Sequence, residues 1–269
     1  MPQDVFWQLV SELGDERFYM LALILIYIAY SPRLGYRLSM IFLMSMWLNV
    51  ALKNTLQYPR PSSFMWKTEV SGYSFPSGHA QGVSTFWFRL LIECRKLWIL
   101  PIAILVTSLV SYSRIYLGVH YLHDVVAGVI LGLTFAITPT LIGLRFKLTN
   151  LESLLPKVIS IVAIMLLLIS SLIPGGYGDI PLICGYMFGL SAGYDRLKYK
   201  SLKISLCLRM ILVVIAFLTA YIIKMVYVGL SLRNVVLDFI VYSIVGFIIS
   251  YVIPTVGSYL LSIKPNLLR

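Results

Sequence analysis

Long apolar runs separated by short polar connections dominate the chain. Apolar runs of this kind predict membrane-spanning helices, which need about 20 residues each. The nine predicted spans are Phe18 to Tyr30, Leu38 to Leu52, Ser77 to Ile92, Leu97 to Ile115, Val125 to Leu144, Val158 to Ile173, Ile180 to Tyr194, Ile204 to Val228 and Val235 to Ile263. The first, third and seventh are short, so tilt or neighbouring helices must make up their length.

Apolar residues ahead of these spans recur at helical spacing: Val5, Phe6, Leu9, Val10 and Leu13. This pattern predicts a short helix that lies in the membrane interface. A second feature, the polar segment from Thr149 to Pro156, interrupts the apolar pattern and is the one candidate boundary inside the chain. We therefore expect one membrane-embedded core in residues 1–150 and an extension of about four transmembrane helices in residues 151–269.

The composition agrees with a membrane protein. Of the 269 residues, 59% are hydrophobic and only 12% are charged, whereas soluble domains are about 45–50% apolar and about 25% charged. The predicted fold class is all-α, a polytopic helical bundle embedded in the bilayer. We expect a multi-pass protein of the cell membrane.

The net charge of +11 comes from basic residues that punctuate the apolar runs instead of forming one dense patch. Such a pattern sets membrane topology and does not predict nucleic-acid binding. The basic connections on one side contain Arg33, Arg37, Arg95, Lys96, Arg145, Lys147, Lys157, Arg196, Lys198, Lys200, Lys203, Lys264 and Arg269. This side, with the C-terminus, should be cytoplasmic, and the N-terminus should be extracytoplasmic.

The sequence predicts neither a redox-active cysteine pair nor a metal site. Cys94, Cys184 and Cys207 are widely spaced in apolar surroundings and form no Cys-x-x-Cys pair, so we interpret them as small hydrophobic residues. No cluster of cysteine, histidine or carboxylate has metal-ligand spacing. We expect neither a metal nor a cofactor.

Polar residues gather at helix ends on the predicted extracytoplasmic side. Three of them are cations, Lys53, Arg60 and Arg114, and few carboxylates lie near them in sequence. Together they suit an anion, since the planar fork of arginine can bind two phosphate oxygens at once. Ser77 and Gly78 precede a helical run, where free backbone N–H groups and the helix dipole also favour an anion.

Two histidines complete this group. His120 and Asp124 are four residues apart on one helical face, so the carboxylate can hold one imidazole N–H while the opposite nitrogen faces the substrate as a nucleophile. His79 is then free to protonate a leaving oxygen.

The same residues resemble the type 2 phosphatidic acid phosphatase superfamily. Its three motifs, Lys-x6-Arg-Pro, Pro-Ser-Gly-His and Ser-Arg-x5-His-x3-Asp, correspond to Lys53 to Pro61, Pro76 to His79 and Ser113 to Asp124. The surrounding sequence, including Tyr116 to Tyr121, looks like the membrane-bound prokaryotic branch assigned to undecaprenyl or dolichyl diphosphate phosphatases. The motif-bearing part covers roughly residues 1–150.

This resemblance implies metal-independent hydrolysis through a phosphohistidine. It assigns His120 as the nucleophile, Asp124 as the group that orients it and His79 as the acid that later activates water. It assigns phosphoryl binding to Lys53, Arg60, Ser77, Gly78 and Arg114. His123 departs from the family pattern; on a helix it should point about 100° away from Asp124, as a cap, headgroup contact or surface residue.

The expected substrate is a polyprenyl diphosphate, hydrolysed on the extracytoplasmic face. Phosphatidate-type and phosphatidylglycerophosphate-type lipid phosphatases are the alternatives within the same chemistry. Glucose-6-phosphate hydrolysis and lipid phosphotransfer follow them. A transporter that binds phosphate without hydrolysing it is less favoured, because a transport site should lie at mid-membrane, whereas these motifs lie at helix ends.

Overall fold

The structure is a computed structural model that describes residues 2–146, 153–197, 205–230 and 234–263. These residues form helices joined by turns and irregular connections, and no strand occurs among them. The helices are α1 (Pro2–Glu12), α2 (Glu16–Leu25), α3 (Pro32–Leu56), α4 (Gly78–Cys94), α5 (Ile99–Tyr116), α6 (Leu122–Phe146), α7 (Leu155–Ile169), α8 (Ile180–Leu197), α9 (Leu206–Gly229), α10 (Val235–Phe247) and α11 (Ile253–Ile263). The all-α fold class predicted from sequence is confirmed.

Six helical segments are long and apolar enough to cross a membrane: Pro32–Leu56, Ile99–Tyr116, Leu122–Gly143, Leu155–Leu172, Leu206–Gly229 and Val235–Tyr259. They include six of the nine predicted spans. The other three are those marked as short, and in the structure they correspond to α2, α4 and α8, which are short or carry more polar side chains. The chain is a multi-pass membrane protein.

Two further predictions from sequence concern the helix ahead of the spans and the cations that set the membrane topology. The first is the short helix ahead of the spans: it is present as α1, with Val5, Phe6 and Leu9 exposed, and its position in the membrane interface stays a prediction. The second is the set of topology-setting cations. Several of them, Lys147, Lys198, Lys200, Lys203, Lys264 and Arg269, lie outside the described residues.

The helices form two compact units. The first contains Met1–Tyr19, Ile41–Thr149 and Ser170–Ile180. Its core is the packing of α4 on α6, where Gly128 and Gly132 leave room for the facing backbone. A Cβ at Gly128 would lie 2.6 Å from the Ser77 carbonyl oxygen, and one at Gly132 would lie 2.6 Å from the Gln81 carbonyl oxygen. The start of α4 is thereby held close to the start of α6.

The second unit contains Met20–Met40, Asn150–Ile169 and Pro181–Arg269. Gly185 and Gly189 on α8 allow the backbone of α10 to approach closely. Tyrosine hydroxyls supply buried polar contacts: Tyr27 donates to the Ser250 carbonyl oxygen at 2.9 Å, and Tyr36 shares a hydrogen bond of 2.9 Å with Ser191. None of the candidate site residues belongs to this unit.

Candidate active site

Four helix ends of the first unit supply the candidate site. Lys53 lies in the last turn of α3, His79 in the first turn of α4, Arg114 in the last turn of α5 and Asp124 in the first turn of α6. The backbone N–H of Ser77 donates to the carbonyl oxygen of Asp124 at 3.0 Å. This bond joins the second and third motifs directly.

His120 and Asp124 form the contact that their spacing predicts. His120 Nδ1 lies 3.3 Å from Asp124 Oδ2, and both side chains are buried. The same carboxylate oxygen accepts the backbone N–H of Tyr121 at 2.9 Å, which fixes the carboxylate over the helix start. Burial lowers the pKa of His120 to about 4, with smaller contributions from the nearby cations Lys53, Arg60 and Arg114. The imidazole is therefore neutral at pH 7.

Arg60 lies against the other nitrogen of the same ring. Its Nη1 is 3.2 Å from His120 Nε2 and donates to the Val119 carbonyl oxygen at 2.9 Å. Guanidinium groups can only donate hydrogen bonds, so Nε2 must be the acceptor and Nδ1 must carry the proton. The ring nitrogen opposite Asp124 therefore carries the lone pair, as the predicted role of His120 requires.

The irregular segment 71–74 supplies carbonyl oxygens to both nearby cations. Arg60 Nε donates to Gly72 at 2.9 Å and Arg60 Nη2 donates to Ser71 at 3.0 Å. Lys53 Nζ donates to the carbonyl oxygens of Tyr73 and Ser74, at 2.6 and 3.2 Å. Partial burial lowers the pKa of Arg60 from its usual value. The two cations are thus hydrogen-bonded to carbonyl oxygens of the same segment.

Arg114 and Ser77 each carry a buried polar atom that has no hydrogen-bond partner within the part of the chain that the structure describes. Arg114 is 5% exposed, and its Nη1 bonds to Ser11 Oγ at 2.6 Å while its Nε has no hydrogen-bond partner among the described residues. Ser77 Oγ, on a fully buried residue, is likewise unpartnered. Buried donors are rarely left without partners, so these atoms suit a phosphoryl oxygen.

His79 and Gly78 are placed by close packing. A Cβ at Gly78 would lie 3.2 Å from Asn49 Oδ1, and a Cβ at Gly14 would lie 2.9 Å from His79 Cδ2. His79 thus follows the tight turn at Pro76–Gly78, with the α1–α2 turn against its ring. This is a defined position for the residue expected to act as the acid.

Sequence reasoning did not identify a buried polar layer behind the Pro76–Gly78 turn. Asn49 Nδ2 donates to the Pro76 carbonyl oxygen at 3.2 Å and to Gln81 Oε1 at 2.9 Å, and Gln81 Nε2 donates to the Ser45 carbonyl oxygen at 2.7 Å. The available signal was the spacing of Ser45, Asn49 and Lys53, which places three polar residues on one face of an apolar helix.

The expectation that His123 points away from Asp124 is wrong. Its Nε2 lies 3.1 Å from Asp124 Oδ1, although the side chain is 63% exposed. The 100° spacing sets the directions of the two Cβ atoms in α6 and does not set the side-chain rotamers. The Asp124 carboxylate folds back over the helix start to reach Tyr121, which brings it within range of His123.

The model of the PAP2 superfamily matches residues 34–147, which contain all three motifs. Among similar proteins, sphingosine-1-phosphate phosphatase 2 of Homo sapiens is 32% identical over 135 residues, covering 46% of this chain and 34% of that protein. Undecaprenyl-diphosphatase of Sulfolobus acidocaldarius is 38% identical over 105 residues, covering 37% of this chain and 50% of that protein. The aligned part thus spans half or less of the length of these two relatives.

A solved structure is also similar. The crystal structure of a transmembrane PAP2-type phosphatidylglycerolphosphate phosphatase from Bacillus subtilis is 27% identical, with a TM-score of 0.47, covering 56% of this chain and 80% of that chain.

Proposed function

We propose that this chain is a lipid phosphatase of the PAP2 superfamily that works through a phosphohistidine on His120, and the match of the family model to residues 34–147 supports this. One observation carries this proposal. The His120 ring is neutral, its Nδ1–H is directed to Asp124 and its Nε2 lone pair accepts from Arg60. A nucleophile in the correct tautomer is therefore present beside a group that can bind the phosphoryl oxygens.

In the first step, His120 Nε2 attacks phosphorus and the bond from phosphorus to the leaving oxygen breaks. The proton stays on Nδ1, so the phosphorylated ring becomes cationic, and the Asp124 carboxylate at 3.3 Å stabilises that charge. Lys53, Arg60 and Arg114 neutralise the charge that builds on the phosphoryl oxygens, together with Ser77 Oγ and the backbone N–H groups at the start of α4.

His79 handles the leaving group. In its protonated form it donates a proton to the leaving oxygen, and in its neutral form it takes a proton from the water that attacks the phosphohistidine. The second step releases inorganic phosphate and restores neutral His120. None of these steps requires a metal ion.

We propose that residues 1–150 carry this chemistry and that residues 151–269 form a transmembrane extension.

The proposed substrate is a polyprenyl diphosphate, cleaved to the monophosphate on the extracytoplasmic face. Similarity to an undecaprenyl-diphosphatase supports this choice. A lipid monophosphate is the second candidate, because a sphingosine-1-phosphate phosphatase and a phosphatidylglycerophosphatase B are also similar to this chain. Both substrates present a terminal phosphoryl group to the same site.

A panel of lipid phosphates tests the proposal. Purified protein in detergent and EDTA is given undecaprenyl diphosphate, sphingosine 1-phosphate, phosphatidate and phosphatidylglycerophosphate, and phosphate release is measured against His120→Ala. We expect release in EDTA, with the highest kcat/KM for the diphosphate. A higher kcat/KM for a monophosphate would transfer the assignment to that lipid, and no release from any lipid would contradict the phosphatase function.

A further inference from the structure

We propose that Ser74 is a positioning residue for the nucleophile, acting through Asp124 and the Nδ1–H of His120. This inference rests on the proposed function, since it assigns a role within the same site. Ser74 lies outside the three sequence motifs, two residues before Pro76.

The Ser74 hydroxyl contacts both members of the histidine–aspartate pair. Ser74 is fully buried, and its Oγ lies 2.5 Å from Asp124 Oδ2 and 3.2 Å from His120 Nδ1. A carboxylate can only accept, so the single hydroxyl proton goes to Asp124 and leaves an Oγ lone pair free. The Nδ1–H of His120 therefore faces two acceptors, Ser74 Oγ and Asp124 Oδ2.

This arrangement selects one tautomer and one orientation of the ring. If the proton were on Nε2, the Nδ1 lone pair would face a carboxylate oxygen, and the two would repel. The Nε2–H would also face the N–H of Arg60 at 3.2 Å, so two donors would meet. The two acceptors beside Nδ1, Ser74 Oγ and Asp124 Oδ2, favour a proton on Nδ1. The Arg60 donor beside Nε2 favours a lone pair there, so both nitrogens favour the same tautomer. Ser74 contributes to this preference directly, and it also limits rotation of the Asp124 carboxylate.

The backbone of Ser74 is held independently of its hydroxyl. Its N–H donates to the Tyr58 carbonyl oxygen at 2.9 Å, and its own carbonyl oxygen accepts from Lys53 Nζ at 3.2 Å. Replacing the side chain should therefore leave the backbone contacts, including the one to Lys53, in place. The effect of Ser74→Ala can be attributed to the hydroxyl.

Ser84 provides a matched control. It is also fully buried, but its hydroxyl donates to the Ala80 carbonyl oxygen within its own helix, and it has no place in the proposed site. Ser84→Ala removes the same atoms from an equally buried position. A comparison of the two variants separates a positioning role from the general cost of deleting a buried hydroxyl.

The kinetic experiment uses full-length protein, an activated aryl phosphate and the best lipid substrate. We expect Ser74→Ala to lower kcat by roughly tenfold to a hundredfold for both substrates, with little change in KM, because a hydrogen bond to a charged group is lost in the step that forms the phosphoenzyme. Ser84→Ala should retain wild-type kcat. In an Asp124→Asn background, Ser74→Ala should add no more than about twofold, because the two residues act on the same ring.

A spectroscopic experiment tests the same claim without turnover. In protein labelled with ¹⁵N-histidine, wild-type His120 should give the signals of the Nδ1–H tautomer at pH 7, and Ser74→Ala should shift the ring toward a tautomer mixture. Wild-type turnover in Ser74→Ala, full additivity with Asp124→Asn, or an unchanged His120 spectrum would each overturn the proposal. If wild-type protein hydrolyses no substrate, the proposed function fails while the spectrum still decides the role of Ser74.

Discussion

At the residue scale, the hydrogen-bond donors and acceptors around His120 favour a single tautomer of its ring, with the proton on Nδ1. Arg60 lies against His120 Nε2, the nitrogen that attacks phosphorus in the proposed mechanism. An incoming phosphoryl group therefore has to draw the guanidinium away from Nε2 and onto its own oxygens. Binding of the anion and exposure of the nucleophile are thus one event.

The low pKa of His120 predicts the acid limb of the pH profile. The imidazole is active when neutral, and burial lowers its pKa to about 4. We expect kcat/KM, which reports the free enzyme, to hold as the pH falls from 7 to 5 and to decline as the pH falls through about 4. The measurement uses an aryl phosphate and corrects for its own ionisation. A limb near the ordinary histidine value of about 6.5 would contradict the burial effect.

The motif residues could be predicted from sequence because each motif is local. His120 and Asp124 share a helical face, and Ser77 and Gly78 precede a helix, so their spacing carries the geometry. Ser74 and Ser11 could not be predicted, since their partners lie 50 and 103 residues away and depend on how helices pack. His123 was misplaced because helix geometry gives the Cβ direction and not the rotamer that turns the Asp124 carboxylate back over the helix start.

At the element scale, α1 completes the site although it precedes the matched family domain. Asp4 of α1 lies 3.1 Å from Lys67 Nζ, Gln8 donates to the Lys67 carbonyl oxygen at 2.6 Å, and Ser11 bonds to Arg114 at 2.6 Å. An amphipathic helix of this kind was predicted as a membrane contact. The structure adds that its polar face contacts the loop after Arg60 and Arg114, one of the proposed phosphate-binding residues.

The turn after α1 gives a test of this role. A Cβ on Gly14 would lie 2.7 Å from the buried Val110 and 2.9 Å from the His79 ring, so Gly14→Ala should displace His79. We expect roughly tenfold or greater loss of kcat with lipid substrates, since small misplacements of catalytic groups are costly. For an aryl phosphate, whose leaving group needs no proton, kcat/KM should be spared, as it should be in His79→Ala, because this ratio reports formation of the phosphoenzyme and not its hydrolysis by water.

Gly143→Ala is the control for this substitution. Gly143 is also a glycine of the first unit, and a Cβ there would meet nothing within 4 Å among the described residues. It should hydrolyse both substrates at the wild-type rate. Equal loss of both activities in Gly14→Ala, accompanied by a lower melting temperature, would show that the turn stabilises the fold and does not position His79.

At the scale of the whole molecule, the site lies at one end of the helices of the first unit, and the connection with Arg95 and Lys96 lies at the other. The basic connections predict that the latter end is cytoplasmic. We therefore expect the site to open on the extracytoplasmic side. There it can reach carrier-lipid diphosphates on the outer leaflet and cannot reach soluble phosphates of the cytoplasm.

Single cysteines test this orientation. In protein with Cys94, Cys184 and Cys207 replaced, Ser63→Cys places a thiol on an exposed residue of the connection after Arg60, and Lys96→Cys places one on the exposed connection between α4 and α5. An impermeant maleimide should label the first variant on intact cells and the second only after lysis. The reverse pattern would place the site in the cytoplasm and favour a role in the synthesis of inner-leaflet lipids.

Trapping the covalent intermediate tests the central claim most directly. Protein mixed with a ³²P-labelled lipid phosphate is quenched in alkali within one turnover, since phosphohistidine survives alkali and is lost in acid, and the labelled peptide is identified by mass spectrometry. We predict one phosphoryl group on Nε2 of His120, absent from His120→Ala and longer-lived in His79→Ala, where water is no longer activated. Phosphate release with no label on His120, or a label on another residue, would contradict the account.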